Sequence, residues 1–222
     1  DMPKPWDDLR GGIGELNYLT PERVGDGLNI DTTGNGRIIK GPAFTNAPKT
    51  AGGNIGAAPV AGAIFISKLY IAAGQILYRQ SGTTLDTVLD AGATITDVVS
   101  YGTWIVVAIG ASAGFWYSTT GDSGGWTQQV GGAKAYANYM TVGESGAGIS
   151  TLWLFRNPNE MRASTDPTNY AGISGITYIG EADNDLLNPE WHGSSIYMPK
   201  EDGVYYFTSS GYVSNALPEY KQ

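Results

Sequence analysis

The chain has 222 residues, of which 41% are hydrophobic and 15% charged, with 32 glycines, no cysteine and a formal net charge of −8. This composition excludes a disordered chain, a disulfide scaffold and a Cys-ligated metal site, and no apolar run has the length of a membrane-spanning helix. The acidic balance, without any basic run, argues against direct nucleic-acid binding and suits a surface that must not adhere to DNA.

Residues 1–60 differ from the rest of the chain. They contain six prolines and no long alternating strand, so we interpret them as an extended Pro/Gly-rich N-terminal segment with short strands at best. The segment also carries many apolar side chains between Trp6 and Ile30, more than a free linker holds. Burying these side chains requires a surface, and we expect residues 1–40 to run extended across a neighbouring surface. We also expect this segment to be needed for assembly.

From residue 61 onward, a strand-like run, a short turn and a second strand recur four times. The hairpins are centred near Gly74, Ala111, Asn157 and Asp202. The equivalent positions on their first strands are taken as Tyr70, Ile105, Trp153 and Tyr197. A period of about 45 residues without an intervening helix is typical of a β-propeller with one four-stranded blade per repeat.

We therefore predict an all-β fold, a propeller or partial propeller of about four blades over residues 61–222. A β-sandwich with evenly spaced strands is the alternative. Complete propellers have about four to eight blades, so four hairpins make either a minimal ring or part of a longer protein's ring.

Two turns in this region resemble the Asp-box of propeller proteins. In the first turn, the motif positions are occupied by Thr120, Asp122, Gly124 and Trp126. The spacing before the tryptophan is one residue shorter than in the motif. The second turn matches at Ser164, Asp166 and Tyr170, without the glycine. In the Asp-box family the aspartate caps turn amides and the aromatic ring packs into the blade. The resemblance therefore implies structural roles, with the carboxylate of Asp122 bonded to turn amides and Trp126 buried.

The layout of the chain, an irregular proline-rich lead followed by blades, resembles propeller modules in the tail proteins of tailed phages, such as nozzle or hub proteins. This resemblance implies a non-enzymatic structural module of the virion tail that binds protein subunits, copies of itself included. The expected location is the virion or the extracellular space. We predict no catalytic residue, no cofactor and no metal site.

Glycan binding and sialidase-like glycoside hydrolysis are the alternative functions. Sialidases need several arginines converging on a carboxylate, and the arginines of this chain are Arg10, Arg23, Arg37, Arg79, Arg156 and Arg162. Six tryptophans offer surfaces for stacking on sugars. Most of them fall within or beside predicted strands, which favours core packing.

Overall fold

The computed structural model describes residues 55–208 except positions 83, 146, 193 and 202, together with the backbones of three short strands outside or at the end of this range. The chain divides into two compact units, Asp1–Asn46 and Ala47–Gln222. In the first unit, the described strands β1 (Ile30–Asp31) and β2 (Ile39–Lys40) pair antiparallel. Apart from these two short strands, residues 1–40, which we predict to run across a neighbouring surface, lie outside the described residues.

The described part of the second unit contains four antiparallel sheets of four strands, here called sheets I to IV in chain order. Sheet I consists of β3 (Pro59–Phe65), β4 (Lys68–Ala73), β5 (Ile76–Ser81) and β6 (Thr84–Asp90). Sheet II consists of β7 (Asp97–Tyr101), β8 (Trp104–Ala108), β9 (Phe115–Ser118) and β10 (Thr127–Gln129). Sheet III consists of β11 (Tyr139–Glu144), β12 (Ser150–Arg156), β13 (Glu160–Ser164) and β14 (Thr177–Tyr178). Sheet IV consists of β15 (Glu190–His192), β16 (Ser195–Lys200), β17 (Gly203–Thr208) and β18 (Val213–Asn215).

Each sheet is a meander in which consecutive strands are hydrogen-bonded neighbours. The second and third strands of every sheet form the predicted hairpins, which confirms the four repeats and the all-β fold. In the described residues, two short 3-10 turns, Ala133–Ala135 and Tyr170–Gly172, are the helical segments.

Successive sheets pack face to face through three apolar clusters. Sheets I and II share a cluster that includes Tyr70, Leu77, Ile105 and Val107. Sheets II and III share one that includes Val106, Phe115, Leu152 and Leu154. Sheets III and IV share one that includes Trp153, Phe155, Ile196 and Met198. Since side chains alternate between the faces of a strand, each inner sheet contributes one row to the cluster before it and one to the cluster after it.

The predicted equivalence of Tyr70 and Ile105 is wrong by one residue. Two-residue turns join the first two strands of sheets I, II and IV, so positions can be counted from the turn. Counted in this way, Tyr70 corresponds to Val106, and Ile105 corresponds to Leu69. A shift of one residue moves a side chain to the opposite face of its sheet, and Ile105 indeed packs toward sheet I.

The first strands of the sheets lie side by side, with β3 beside β7, β7 beside β11 and β11 beside β15. These four strands are thus neighbours at one edge of the stacked sheets, and a cavity lies there.

Candidate functional site

A cavity of about 610 Å³ lies where the first strands of the sheets converge. Its walls are residues 60–63 of β3, 96–100 at and before β7, 139–142 of β11, and Asn188 and Glu190 at and before β15. The sequence did not single out these residues as a site. No local motif identifies them, because they lie far apart in the chain and meet only when the sheets stack.

Asp97 is the half-buried carboxylate of this cavity. Its Oδ2 accepts a hydrogen bond from the backbone N–H of Met140 in sheet III at 2.6 Å, and its Oδ1 accepts one from the N–H of Val98 at 2.8 Å. Burial raises the pKa of this carboxyl from 3.8 to about 6; the two N–H donors oppose the rise, and the nearby charge of Glu190 adds to it.

A second bond of the same kind joins sheets III and IV. The hydroxyl oxygen of Thr141, in β11, accepts a hydrogen bond from the backbone N–H of Trp191 at 3.2 Å. Short polar side chains on first strands therefore take up backbone donors of the next sheet, at two successive sheet boundaries.

The lining of the cavity is acidic and hydroxylic. It combines the carboxylates of Asp97 and Glu190 with the hydroxyls of Thr96, Ser100 and Thr141, and it includes no lysine, arginine or histidine. Such a surface can accept hydrogen bonds from hydroxyl-rich or cationic groups. In the described part of the chain, no group of three or more His, Asp or Glu side chains is placed to hold a metal ion.

The first predicted turn motif lies between β9 and β10. The hydroxyl oxygen of Ser118 accepts from the backbone N–H groups of Thr120 and Gly121, at 3.2 and 2.9 Å, and the hydroxyl of Thr120 accepts from the N–H of Asp122. The expected capping by the carboxylate of Asp122 is thus taken over by two hydroxyls. Asp122 instead forms an ion pair with Arg79 of sheet I, with its side chain 59% exposed.

The aromatic end of this motif packs inward. Trp126 is partly buried against the cluster between sheets I and II, whereas Gly124 is exposed in the turn.

The second turn motif lies between β13 and β14. The carboxylate oxygen of Asp166 accepts from the N–H of Thr168 at 2.8 Å, and the hydroxyl of Ser164 accepts from the N–H of Asp166 at 3.2 Å. Tyr170 packs over Gly131 so closely that a Cβ atom on that glycine would overlap the ring.

Comparison of the two turns identifies Ser118 as a capping residue that the motif alignment missed. Ser118 and Ser164 end the third strands of sheets II and III, and each accepts the amide two residues later. Thr120 therefore corresponds to Asp166. The available signal was the repeated Ser-Thr pair, at Ser118 and again at Ser164.

The described arginines lie away from the cavity. Arg156 and Arg162 both approach Oε2 of Glu160, at 3.5 and 3.4 Å. Arg156 also donates to the carbonyl of Ala111, in the loop between β8 and β9, at 3.2 Å, and Arg79 pairs with Asp122 as given above. Among the described residues, arginines therefore pair with carboxylates and a carbonyl of the chain itself, and none of them lines the cavity. Arg10, Arg23 and Arg37 lie outside the described residues.

The described tryptophans pack in the clusters between sheets. They are Trp104, Trp116, Trp126, Trp153 and Trp191. The exposed aromatic rings in the described part of the chain include Tyr178 and Tyr197, which are 62% and 40% exposed. No described helix has the length and hydrophobicity required to cross a membrane.

No protein-family model and no curated protein sequence matches the chain. Solved structures of propeller-like proteins do match. A catalytically inactive virginiamycin B lyase from Staphylococcus aureus, solved with quinupristin, matches with a TM-score of 0.54 and 12% identity, over 72% of this chain and 56% of the lyase. The chain thus spans little more than half of that protein.

Two further structures give the same picture. The computationally designed protein Ika4 matches with a TM-score of 0.51 and 10% identity, over 75% of this chain and 99% of Ika4. An extracellular domain from B. thetaiotaomicron, described as part of a one-component system, matches with a TM-score of 0.52 and 13% identity. That match covers 81% of this chain and 23% of the domain. At these identities the similarity establishes the propeller-like fold and nothing finer.

Proposed function

We propose that this chain is a non-enzymatic structural module that binds other protein subunits, as a component of a virion tail. The observation that carries the proposal is an exposed apolar patch on sheet I. It is formed by Val60, Ile64, Ile66 and Leu69, which are 53%, 71%, 61% and 38% exposed. Ile64 and Leu69 are cross-strand partners, so the patch is continuous across β3 and β4. Contiguous exposed apolar side chains typically mark protein–protein contact surfaces.

The bonds between sheets support a rigid scaffold. Tyr101 donates its hydroxyl proton toward the carbonyls of Ser150 and Thr165, both at 3.0 Å. Lys200 donates to the carbonyls of Ile179 and Glu181, at 3.0 and 2.5 Å. These side chains span from one sheet to the next, and a fixed stack of sheets presents its outer surfaces in a constant arrangement.

The charge of the chain supports a place beside DNA without adhesion to it. A formal net charge of −8 repels a phosphate backbone, which suits the inner surface of a conduit for DNA. The location we propose is the virion or the extracellular space, and the extracellular domain among the similar structures is compatible with the latter. Residues 1–40, with their apolar side chains, would supply a second contact with neighbouring subunits.

The test is the oligomeric state of full-length protein carrying Ile64→Asp, measured by light scattering after size-exclusion chromatography. The matched control is Val130→Asp, since Val130 follows the end of β10, lies outside the patch and is 67% exposed. We expect Ile64→Asp to abolish assembly and Val130→Asp to leave it unchanged. Assembly that survives Ile64→Asp, or a chain that is monomeric in wild-type form at all concentrations, would contradict the proposal.

Glycan binding is the second candidate, and the acidic, hydroxyl-lined cavity favours it. Carboxylates and hydroxyls are suitable hydrogen-bond acceptors for sugar hydroxyls. The described arginines do not form the cluster that a sialidase needs, so a binding role is preferred to hydrolysis. A glycan array compared between wild type and Asp97→Asn tests this candidate, and turnover of a chromogenic sialoside tests the glycosidase. Binding that is lost in the variant would favour the glycan role.

A further inference from the structure

The cavity between the first strands presents two carboxylates to one space. Asp97 of β7 and Glu190 of β15 both line it. Burial raises the pKa of Asp97, and the nearby charge of Glu190 adds to the rise. Oε1 of Glu190 accepts a hydrogen bond from the side-chain amide of Asn188 at 3.4 Å. In the described part of the chain, the acidic partners in ion pairs are Asp122 and Glu160, so both cavity carboxylates keep an uncompensated negative charge.

A hydroxyl group of the cavity also has unused acceptor capacity. Thr96 lines the cavity just before β7, and its Oγ1 is buried without a hydrogen-bond partner among the described residues. The side chain of Ser100 adds a second hydroxyl on the same strand as Asp97. A buried oxygen that lacks a partner costs free energy, which a hydrogen-bond donor in the cavity would recover. The polar part of the lining therefore suits a ligand that donates hydrogen bonds and carries positive charge.

The remainder of the lining is largely apolar. It includes Val60, Ala61, Ala63, Val98 and Val142. The volume of about 610 Å³ lies within the range of small-molecule sites, roughly 300–1,000 Å³. Among the described residues, no group of three or more His, Asp or Glu side chains is placed to hold a metal ion. Size and lining thus favour a cationic group attached to a carbon body over a bare metal ion.

We propose that this cavity binds an organic ammonium group, held by the carboxylates of Asp97 and Glu190 with its carbon body against the apolar wall. An ammonium group donates hydrogen bonds and accepts none, which complements a lining of carboxylate and hydroxyl oxygens. This inference goes beyond the proposed assembly function and does not depend on it. It differs from the glycan candidate because positive charge, and not sugar hydroxyls, decides the binding. A free amine and a lysine side chain of a neighbouring subunit would present the same group.

NMR titration of the full-length chain near neutral pH tests the proposal. The reporters are the backbone amides of Val98 and Met140, which donate to the carboxylate of Asp97. Three cationic probes are each compared with a neutral counterpart: n-pentylamine with 1-pentanol, glucosamine with N-acetylglucosamine, and Nα-acetyl-lysine methylamide with its Nε-acetylated form. We expect saturable shifts of both reporters with at least one cationic probe and none with its neutral counterpart.

The probes also separate the two sources of the ammonium group. Saturation by pentylamine or glucosamine alone would identify a free amine, and saturation by the lysine derivative alone would identify a side chain of a neighbouring subunit. Equal binding of N-acetylglucosamine and glucosamine would overturn the inference in favour of the glycan candidate. The absence of saturable shifts with all three cationic probes would also overturn it, while leaving the proposed assembly function untouched.

Two charge-removing variants test whether the cavity carboxylates are responsible. Glu190→Gln keeps the shape of an exposed side chain, and we expect the Kd of the bound amine to rise about fivefold or more. Glu144→Gln is the matched control, because Glu144 is exposed at the end of β11 and does not line the cavity. Its Kd should change by less than about twofold, since solvent and salt screen a charge outside the cavity. An unchanged Kd in Glu190→Gln, or equal weakening in both variants, would show only general attraction to a chain of net charge −8 and would overturn the inference.

Discussion

The indole ring of Trp191 packs against the α-carbon of Gly143 so closely that a Cβ atom at position 143 would overlap the ring atoms Cγ, Cδ2 and Cε3. Gly143 lies in β11 and Trp191 in β15, so the contact joins the first strands of sheets III and IV. Glycine is required here by the close approach of the ring, because any side chain would force the two strands apart.

We expect Gly143→Ala to lower the free energy of unfolding by about 1–3 kcal/mol, the usual cost of inserting an atom into a packed interior. Urea denaturation measures the effect. Gly175→Ala is the matched control, since no atom lies within 4 Å of the Cβ it would add, and it should change stability by less than about 0.5 kcal/mol. Equal stability of the two variants would contradict the packing of Trp191 described above.

The second prediction concerns Asp97 and pH. Its pKa is raised from 3.8 to about 6 in the folded chain, so the folded state holds this proton more tightly than the unfolded state. The stabilising contribution is therefore complete below about pH 4 and is lost as the pH rises through about 6. A rise of about two units corresponds to a loss of roughly 3 kcal/mol as an upper bound.

Asp97→Asn removes this titration and keeps one acceptor for the amide of Met140. We expect the stability of the variant relative to wild type to increase between pH 4 and pH 7, as measured by urea denaturation across that range. Subtracting the two curves removes the contributions of the other carboxyl groups. A difference that is constant with pH would show that the pKa of Asp97 is not raised.

The third prediction separates the roles of two residues in the first turn motif. Ser118→Ala removes the buried hydroxyl that accepts two backbone amides, and we expect a loss of about 1–2 kcal/mol in stability. Asp122→Ala removes a largely exposed partner of Arg79, and we expect a loss below about 1 kcal/mol that shrinks at high salt. Thermal unfolding at two salt concentrations measures both. A larger loss of stability in Asp122→Ala than in Ser118→Ala would show that the aspartate contributes more to the turn than the serine.

The fourth prediction concerns the N-terminal unit. Deleting residues 1–46 removes the first compact unit and leaves the four sheets. We expect the far-UV circular dichroism of the truncated chain to retain its β spectrum, and light scattering to show that assembly is lost. Equal assembly of the truncated and full-length chains would show that this unit does not contribute to the contact between subunits.

The sequence predicts the repeats well because each hairpin is encoded locally. Apolar runs of strand length, separated by short turns, specify the second and third strands of every sheet, as in the hairpin that joins Leu152–Arg156 with Glu160–Ser164. The one-residue error at Ile105 has a physical origin. Both faces of β8 are buried, so Ile105 and Val106 are equally apolar and the pattern does not indicate which of them faces which sheet.

The candidate site is beyond such local reasoning. Asp97 and Glu190 reach one cavity from strands 93 positions apart, and only the stacking of sheets brings them together. The raised pKa of Asp97 likewise depends on its burial among residues of other strands. In the first turn motif, the local pattern identified the right loop but assigned the capping of its amides to Asp122. Ser118 accepts two of these amides instead. Serine and aspartate side chains can both accept hydrogen bonds from nearby turn amides, so the residue types alone do not distinguish them.

The amides of Met140 and Trp191 have partners on other sheets, the carboxylate of Asp97 and the hydroxyl of Thr141. An amide proton bonded in this way exchanges with solvent when two sheets separate, even while the strands of each sheet stay paired. Exchange at Met140 therefore reports the opening of the boundary between sheets II and III, and exchange at Trp191 that between sheets III and IV. The hydrogen-exchange rates of these two amides thus measure separately how readily each of the two boundaries opens in solution.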